Sequence, residues 1–372
     1  MPVHFGGTFA HQETAHTLVL PILGSTMRAI TLHRHGDPSV LALEVVADPS
    51  PGPGEVLVRI EACALNRLDL FVRNGAPSLR LTYPHILGSD IAGRVVGLGA
   101  GADPSWQDRE VVLNPGISCG RCESCLSGWD NLCARYGIFG ETQGGGYCEL
   151  LAVPQANLVS KPEGLSMVMA AAVPLTFLTA WQMVVTRGRV TPGDTVLVHA
   201  VGSGVGVAAL QIAKLHGARV VALARTADKL ERAKELGADH TICSADTDWT
   251  KQVRAVPGVG RRGVDMVVEH TGKDTWGASI ELVRRGGKVV TCGATSGWDA
   301  TTDLRHVFFR QIQILGSTMG SKASLHRIVA LVAAGKLKPI VDRTFPLADA
   351  ALAHAHLESR AQFGKVVLEI GS

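Results

Sequence analysis

The chain has 372 residues, which at about 150 residues per domain points to two domains and excludes a single small module. Apolar residues make up 46% and charged residues 19%, the proportions of a packed globular protein, and these exclude disorder for the bulk of the chain. Lysine and arginine number 36 against 33 aspartates and glutamates, and the basic pairs Arg261-Arg262 and Arg284-Arg285 stand apart in the sequence, so no nucleic-acid partner is expected.

Residues 1–26 differ from the rest, with His4, His11 and His16 and no lysine or arginine before Arg28. Leu18–Leu23 has the apolar content of a signal-peptide centre but lacks the charged start and is interrupted by Pro21. This segment is expected to be an appendage outside the fold, and the protein to be cytoplasmic. No run approaches the ~18 uninterrupted apolar residues of a membrane helix, so no membrane partner is expected either.

From Met27 to about Val159 the text consists of short strands broken by glycine and proline: Met27–Leu32, Glu55–Ile60, Gly93–Gly99 and Glu110–Leu113. That grammar predicts an antiparallel, barrel-like β domain. Inside it, Cys119, Cys122, Cys125 and Cys133 place half of the chain's eight cysteines within 15 residues, with Gly120 and Gly128 letting the loop curl. Four thiolates at this spacing suit a closed tetrahedral zinc site, one Zn²⁺ per chain. An iron–sulfur cluster, for which the last gap is long, and two local disulfides, which a reducing compartment disfavours, are the alternatives. Cys63, Cys148, Cys243 and Cys292 are scattered among apolar neighbours and read as small core residues.

After about Leu175 strands alternate with helical stretches, the pattern of a parallel sheet. Six strands are predicted, at Thr195–Val201, Arg219–Ala224, Asp239–Cys243, Val264–Glu269, Lys288–Cys292 and Gln311–Leu315, which suits a doubly wound α/β domain. The first runs into Gly202-Ser203-Gly204-Val205-Gly206 and then a helix. Strand, glycine turn and helix N-terminus in that order make an anion site fit for a dinucleotide pyrophosphate. The sixth position of the GxGxxG fingerprint, counted from Gly202, is Val207, so order rather than pattern carries this reading. About twenty residues on, where an acid would bind the ribose hydroxyls of NAD, the chain has Arg225, followed by Lys229. Two cations there favour the 2′-phosphate of NADP(H) over NAD(H). A helix over Ala348–Glu358 and a last strand over Gly364–Ile370, which could return to the first domain, close the chain.

Together these features resemble the medium-chain dehydrogenase/reductases, which include zinc alcohol dehydrogenases and quinone oxidoreductases. The resemblance covers residues 27–372 and is carried by Gly88-Ser89-Asp90-Ile91-Ala92-Gly93-Arg94-Val95, the four-cysteine lobe, Pro192-Gly193-Asp194 and Gly364-Lys365-Val366-Val367. It implies a GroES-like catalytic domain over 27–175 with the zinc lobe at 115–135, a Rossmann domain over 176–320, and a return segment over 321–372 completing the first domain. It also implies a small-molecule substrate in a cleft between the domains, and a homodimer or homotetramer.

Zinc alcohol dehydrogenases fill three catalytic-zinc places with a Cys, the His of Gly-His-Glu, and a second Cys. Here those places fall at Asn66, Ser89 (in Gly88-Ser89-Asp90) and about Leu175. An amide, a hydroxyl and a leucine do not make a three-ligand metal site, so zinc-free chemistry is expected, with Asn66, Asp69 and Asp90 as catalytic-site residues. Asn66 could help stabilise an enolate, while Asp69 and Asp90 serve chiefly to position neighbours. Thr179 and Lys365 are added by resemblance as cofactor contacts, Lys365 to phosphate. The expected activity is NADPH-dependent reduction of a quinone or activated double bond. A zinc-type alcohol or aldehyde dehydrogenase and an NADP(H)-binding sensor with little turnover are the alternatives.

Overall fold

The structure, a computed structural model, describes residues 25–75 and 79–371. All but the last two residues of the N-terminal appendage lie outside the described residues, and the first strand opens at Thr26.

The first domain is built on a seven-stranded, mainly antiparallel sheet. Its order runs Leu158–Ser160, Glu110–Leu113, Asp90–Leu98, Glu55–Ala64, Lys365–Glu369, Val341–Pro346, with Leu150–Pro154 also pairing with Glu55–Ala64. A three-stranded sheet of Leu41–Ala47, Thr26–Leu32 and His85–Ile86 packs beside it. The predicted return of the C-terminus is present: Lys365–Glu369 pairs antiparallel with Glu55–Ala64 and parallel with Val341–Pro346. Alternation along Glu55–Ala64 explains the packing, since Val56, Val58, Ile60 and Ala62 are all fully or nearly fully buried.

The second domain is a six-stranded parallel sheet ordered His240–Cys243, Arg219–Ala224, Thr195–Val198, Val264–Glu269, Val283–Thr291, Gln313–Gly316. This is the doubly wound order, whose direction reverses between Thr195–Val198 and Val264–Glu269, and ligands of such sheets bind above the carboxyl ends of those strands. All six predicted strands exist, with boundaries shifted by a few residues; the fifth starts earlier, at Val283. The second domain also extends further than the expected boundary at 320. The helix Lys322–Ala333 buries Leu325, Ile328, Val329 and Val332 in the core that holds Val196 and Val268, because its apolar stripe at helical spacing needs the sheet face to cover it.

The helical stretch Met167–Arg187 is long and apolar enough to cross a membrane by length and composition, although no uninterrupted apolar run shows in the sequence. Of its most apolar window, 78% is buried, and Phe177, Leu178, Trp181 and Met183 sit in the core of the parallel-sheet domain. Its part from Pro174 onward is the helix that joins the two domains.

Candidate active site and metal lobe

The glycine turn folds as an anion cradle, with a different division of labour from the fingerprint. Ala200 holds the left-handed backbone conformation, φ 42°, where strand becomes turn. Gly206 takes the close-packing role, since a Cβ there would lie 2.6 Å from the Ala200 carbonyl oxygen. Ser203 is the N-cap of the helix Gly204–Leu215, its hydroxyl accepting the Gly206 N–H at 3.0 Å. Side chains crowd the loop: a Cβ on Gly202 would meet Lys229 and Phe363, and one on Gly204 would meet Thr176 and the Lys365 stem. The return segment is tied to the same loop by a Gly364 N–H bond to the Gly202 carbonyl.

The glycine backbone, the helix N-terminus and the neighbouring cations fit a dinucleotide phosphate. Gly202, Ser203, Gly204 and Val205 would hold it, with Arg225 exposed beyond the end of the strand Arg219–Ala224. Lys229 is half-buried over Gly202, and its ammonium donates to the Arg360 carbonyl. Thr179 is buried on the helix Pro174–Trp181, its hydroxyl 4.0 Å from the Met319 sulfur.

Lys365 corrects the sequence reading. Its stem passes the cradle, but its ammonium turns into the first domain, donating to Asn66 Oδ1 at 2.6 Å and Asp90 Oδ2 at 2.8 Å. The physical reason is the Asp90 carboxylate, 0% exposed, which needs a buried counter-charge; the Lys365 side chain is itself only 4% exposed. Asn66 Nδ2 donates to the same carboxylate oxygen at 2.9 Å, and the Leu175 N–H donates to the other at 2.7 Å.

Four separate stretches of chain therefore meet at one ion pair. Asn66 leads into the helix Arg67–Asn74, Asp90 opens a barrel strand, Lys365 opens the returning strand, and Leu175 lies in the first turn of the linking helix. Asp69 backs this cluster, accepting the N–H groups of Asn66 at 2.6 Å and Gly88 at 3.0 Å. Burial pushes its carboxyl up to about 7, against the pull of those N–H bonds and of Lys365. Ser89 is fully buried, and its hydroxyl has no hydrogen-bond partner among the described residues.

A second buried polar group sits at the switch point. Glu269 is fully buried and accepts bonds from the N–H groups of Thr271 and Gly272 and the hydroxyls of Thr275 and Ser279. The Ser279 hydroxyl is 3.0 Å from His199 Nε2, and His270 Nε2 is 2.8 Å from the His199 carbonyl oxygen. Burial holds the His199 imidazole down at about 4, so it is neutral near pH 7. Both histidines are satisfied structural groups. His85 spends its Nε2 on the Gly140 carbonyl.

The cysteine lobe is assembled as the spacing predicts. The four sulfurs lie within 4.8 Å of one another, with Cys122–Cys125 at 3.5 Å and Cys119–Cys125 at 3.9 Å. Sulfurs 2.3 Å from a tetrahedral zinc are about 3.8 Å apart, so the residues fit that ion, and all four cysteines are free. Backbone N–H donors, Arg121's first, pull the Cys119 thiol down to about 5, which favours the thiolate that a metal needs. Sequence reasoning missed what this lobe touches. Asn131 Nδ2 donates to the Thr318 carbonyl, and Asp130 accepts the Lys322 N–H, docking the lobe against the parallel-sheet domain.

Comparison with known proteins agrees with this geometry. Family models for an alcohol dehydrogenase GroES-like domain and for a zinc-binding dehydrogenase match residues 52–163 and 204–334. A solved structure described as an NAD-dependent alcohol dehydrogenase is 52% identical, with a TM-score of 0.89 over 93% of this chain and 100% of its own. The chain belongs to the medium-chain dehydrogenase/reductase superfamily. Within that superfamily it is also similar to the human quinone oxidoreductase, 26% identical over 92% of this chain and 97% of that protein. A crotonyl-CoA carboxylase/reductase solved in complex with NADP is 27% identical with a TM-score of 0.84, covering 94% and 96% of the two chains.

The catalytic-zinc places of the superfamily do not fit a metal ion in this chain. The Asn66 amide oxygen already accepts from the Lys365 ammonium, Leu175 offers only its backbone, and Ser89 alone cannot complete a ligand set. Among the described residues the cysteine lobe is the single cluster of metal-ligating side chains.

Two outcomes test this electrostatic arrangement. Lys365→Met should leave Asp90 buried without its partner and cost about 3–5 kcal/mol in urea unfolding, more than Lys365→Met combined with Asp90→Asn costs. Asp69 has its folded pKa raised above the unfolded value, so it binds extra protons between about pH 4 and 7 and its contribution to stability falls as pH rises through that range. The stability difference between wild type and Asp69→Asn, measured across those pH values, should fall with rising pH; a flat difference contradicts a raised Asp69.

Proposed function

We propose that this chain is an NADPH-dependent reductase of a quinone or an α,β-unsaturated carbonyl compound, working without a catalytic metal. The observation that carries the reading is the buried Lys365 ammonium bound to Asn66 and Asp90, beside Asn66, Ser89 and Leu175, the places to which the resemblance assigns the catalytic-zinc ligands of the alcohol dehydrogenases. The nicotinamide, when bound, supplies the hydride. Hydride arriving at the β-carbon of an enone leaves negative charge spread over an enolate, which weaker donors can stabilise than the concentrated charge of an alkoxide requires.

The chain offers such donors. Lys365 has three N–H groups, of which two point at Asn66 and Asp90, and the Asn66 amide has a second N–H beyond the one given to Asp90. In this reading the remaining N–H groups would donate to the substrate oxygen, and the Asp90 carboxylate holds both side chains in place. Asp69 fixes the backbone of Asn66 and Gly88. A solvent proton then completes the α-carbon.

NADP(H) is favoured because Arg225 and Lys229 stand where an acid would repel a 2′-phosphate, and because one structural relative was solved with NADP. Another relative, more similar, is described as NAD-dependent, which supports an alcohol dehydrogenase as the second reading. We also propose a homodimer. The strand Gln313–Gly316 is a sheet edge, and beside it Phe308 and Phe309 are 60% and 68% exposed.

Purified protein given NADPH should turn over enones or quinones at least tenfold faster than simple aldehydes or ketones; rapid NADPH oxidation by simple aldehydes alone would contradict the proposal and favour the second reading. Arg225→Glu should weaken NADPH binding by tenfold or more while leaving NADH within about twofold, as read by fluorescence titration. Equal losses for both cofactors contradict the 2′-phosphate role.

A further inference from the structure

The two basic pairs that stand apart in the sequence meet in the fold. Arg262 leads into the strand Val264–Glu269, and Arg284-Arg285 open its parallel neighbour Val283–Thr291, with Val264 paired to Val283. Both pairs therefore emerge at the amino ends of adjacent strands, away from the glycine turn. Arg254, at the end of the helix Trp249–Ala255, and Arg310, at the end of Leu304–Arg310, join them.

The result is a cavity of about 780 Å³ lined by six arginines, Arg254, Arg261, Arg262, Arg284, Arg285 and Arg310, with Glu281 as its one carboxylate. That is more positive charge than the +3 net charge of the whole chain. Asp265, just behind, answers only Arg262 and Arg284.

Part of the cluster has a structural use. Arg310 donates to the Ile280 carbonyl at 3.0 Å and Arg254 to the Glu281 carbonyl at 3.2 Å, capping the helix Lys273–Leu282 at its negative end. One or two cations satisfy that end; six do not follow from it. Arg285 is pinned to the Phe309 carbonyl at 2.8 Å. Burial first, then repulsion from Arg254 and Arg285, holds Arg310 below the usual arginine value, so these like charges face each other without enough carboxylates to answer them.

We propose that this cavity binds a compact polyphosphate, an anion of the pyrophosphate or nucleoside-diphosphate class, at a site separate from the cofactor cradle. Guanidinium forks match phosphate oxygens two at a time, and arginines already tied to backbone carbonyls lose little freedom on binding. The volume lies in the range of small-ligand pockets. An open hollow confined to one domain end, rather than a stripe along the surface, favours a small anion over a nucleic-acid strand.

The test is calorimetric titration of the NADPH-saturated protein, whose cofactor cleft is filled, with sodium pyrophosphate and, separately, ADP. One saturable site per chain is expected, weakening as salt rises. Arg261→Glu and Arg285→Glu should each reduce affinity about tenfold or more, while Lys336→Glu, at an exposed lysine outside the cavity lining, leaves it unchanged. Arg261 is exposed and makes no side-chain hydrogen bond among the described residues, so Arg261→Glu serves alone should Arg285→Glu fail to fold. Tighter binding of ADP assigns a nucleoside contact, and equal binding assigns the phosphates. The proposal is overturned if neither anion saturates below millimolar concentration, if the variants bind as wild type does, or if a DNA duplex binds through these arginines and the small anions do not.

Discussion

A carboxylate with no access to water constrains the centre of this molecule. Asp90 cannot be charged in an apolar interior without a cation and donors for both oxygens, and it finds them in Lys365, the Asn66 amide and the Leu175 N–H. Each partner arrives from a different stretch of chain. The pair therefore fixes the returning C-terminal strand, the first barrel helix and the interdomain helix against one another. The charge that stabilises the junction is also the cation on which the proposed chemistry draws.

A lysine and a zinc ion solve this problem differently. Zinc brings two charges and an open coordination position that polarises a single oxygen strongly. An ammonium brings one charge and directional hydrogen bonds, already partly committed to its neighbours. The weaker electrophile suits a transition state whose charge is delocalised. The cysteine lobe keeps four cysteine sulfurs in metal-binding geometry but is built into the architecture, holding Asp130 and Asn131 against Lys322 and Thr318.

Much of the fold was legible because its signals are local. Alternation in Glu55–Ile60, the βαβ rhythm after Leu175, and four cysteines in one loop each specify their structure within a short window. The cradle was legible from the order of strand, glycine turn and helix, though the turn residue proved to be Ala200, which no glycine pattern marks. What escaped depends on contacts across the sequence. Lys365 beside Gly364 reads as a phosphate contact; its true partners are 275 and 299 residues away. The arginine pairs look isolated because nothing local shows that Val264 and Val283 begin neighbouring strands. The domain boundary at 320 failed for the same reason, since the stripe of the helix Lys322–Ala333 does not say which sheet it covers.

The most direct measurement is the metal content of fully active protein, followed through chelation, against its rate of NADPH-dependent enone reduction. A fixed ammonium in place of a catalytic ion predicts one zinc per chain, with turnover undiminished when loosely held metal is stripped away. Two zinc ions per chain, with activity lost and regained in step with the second, would contradict it.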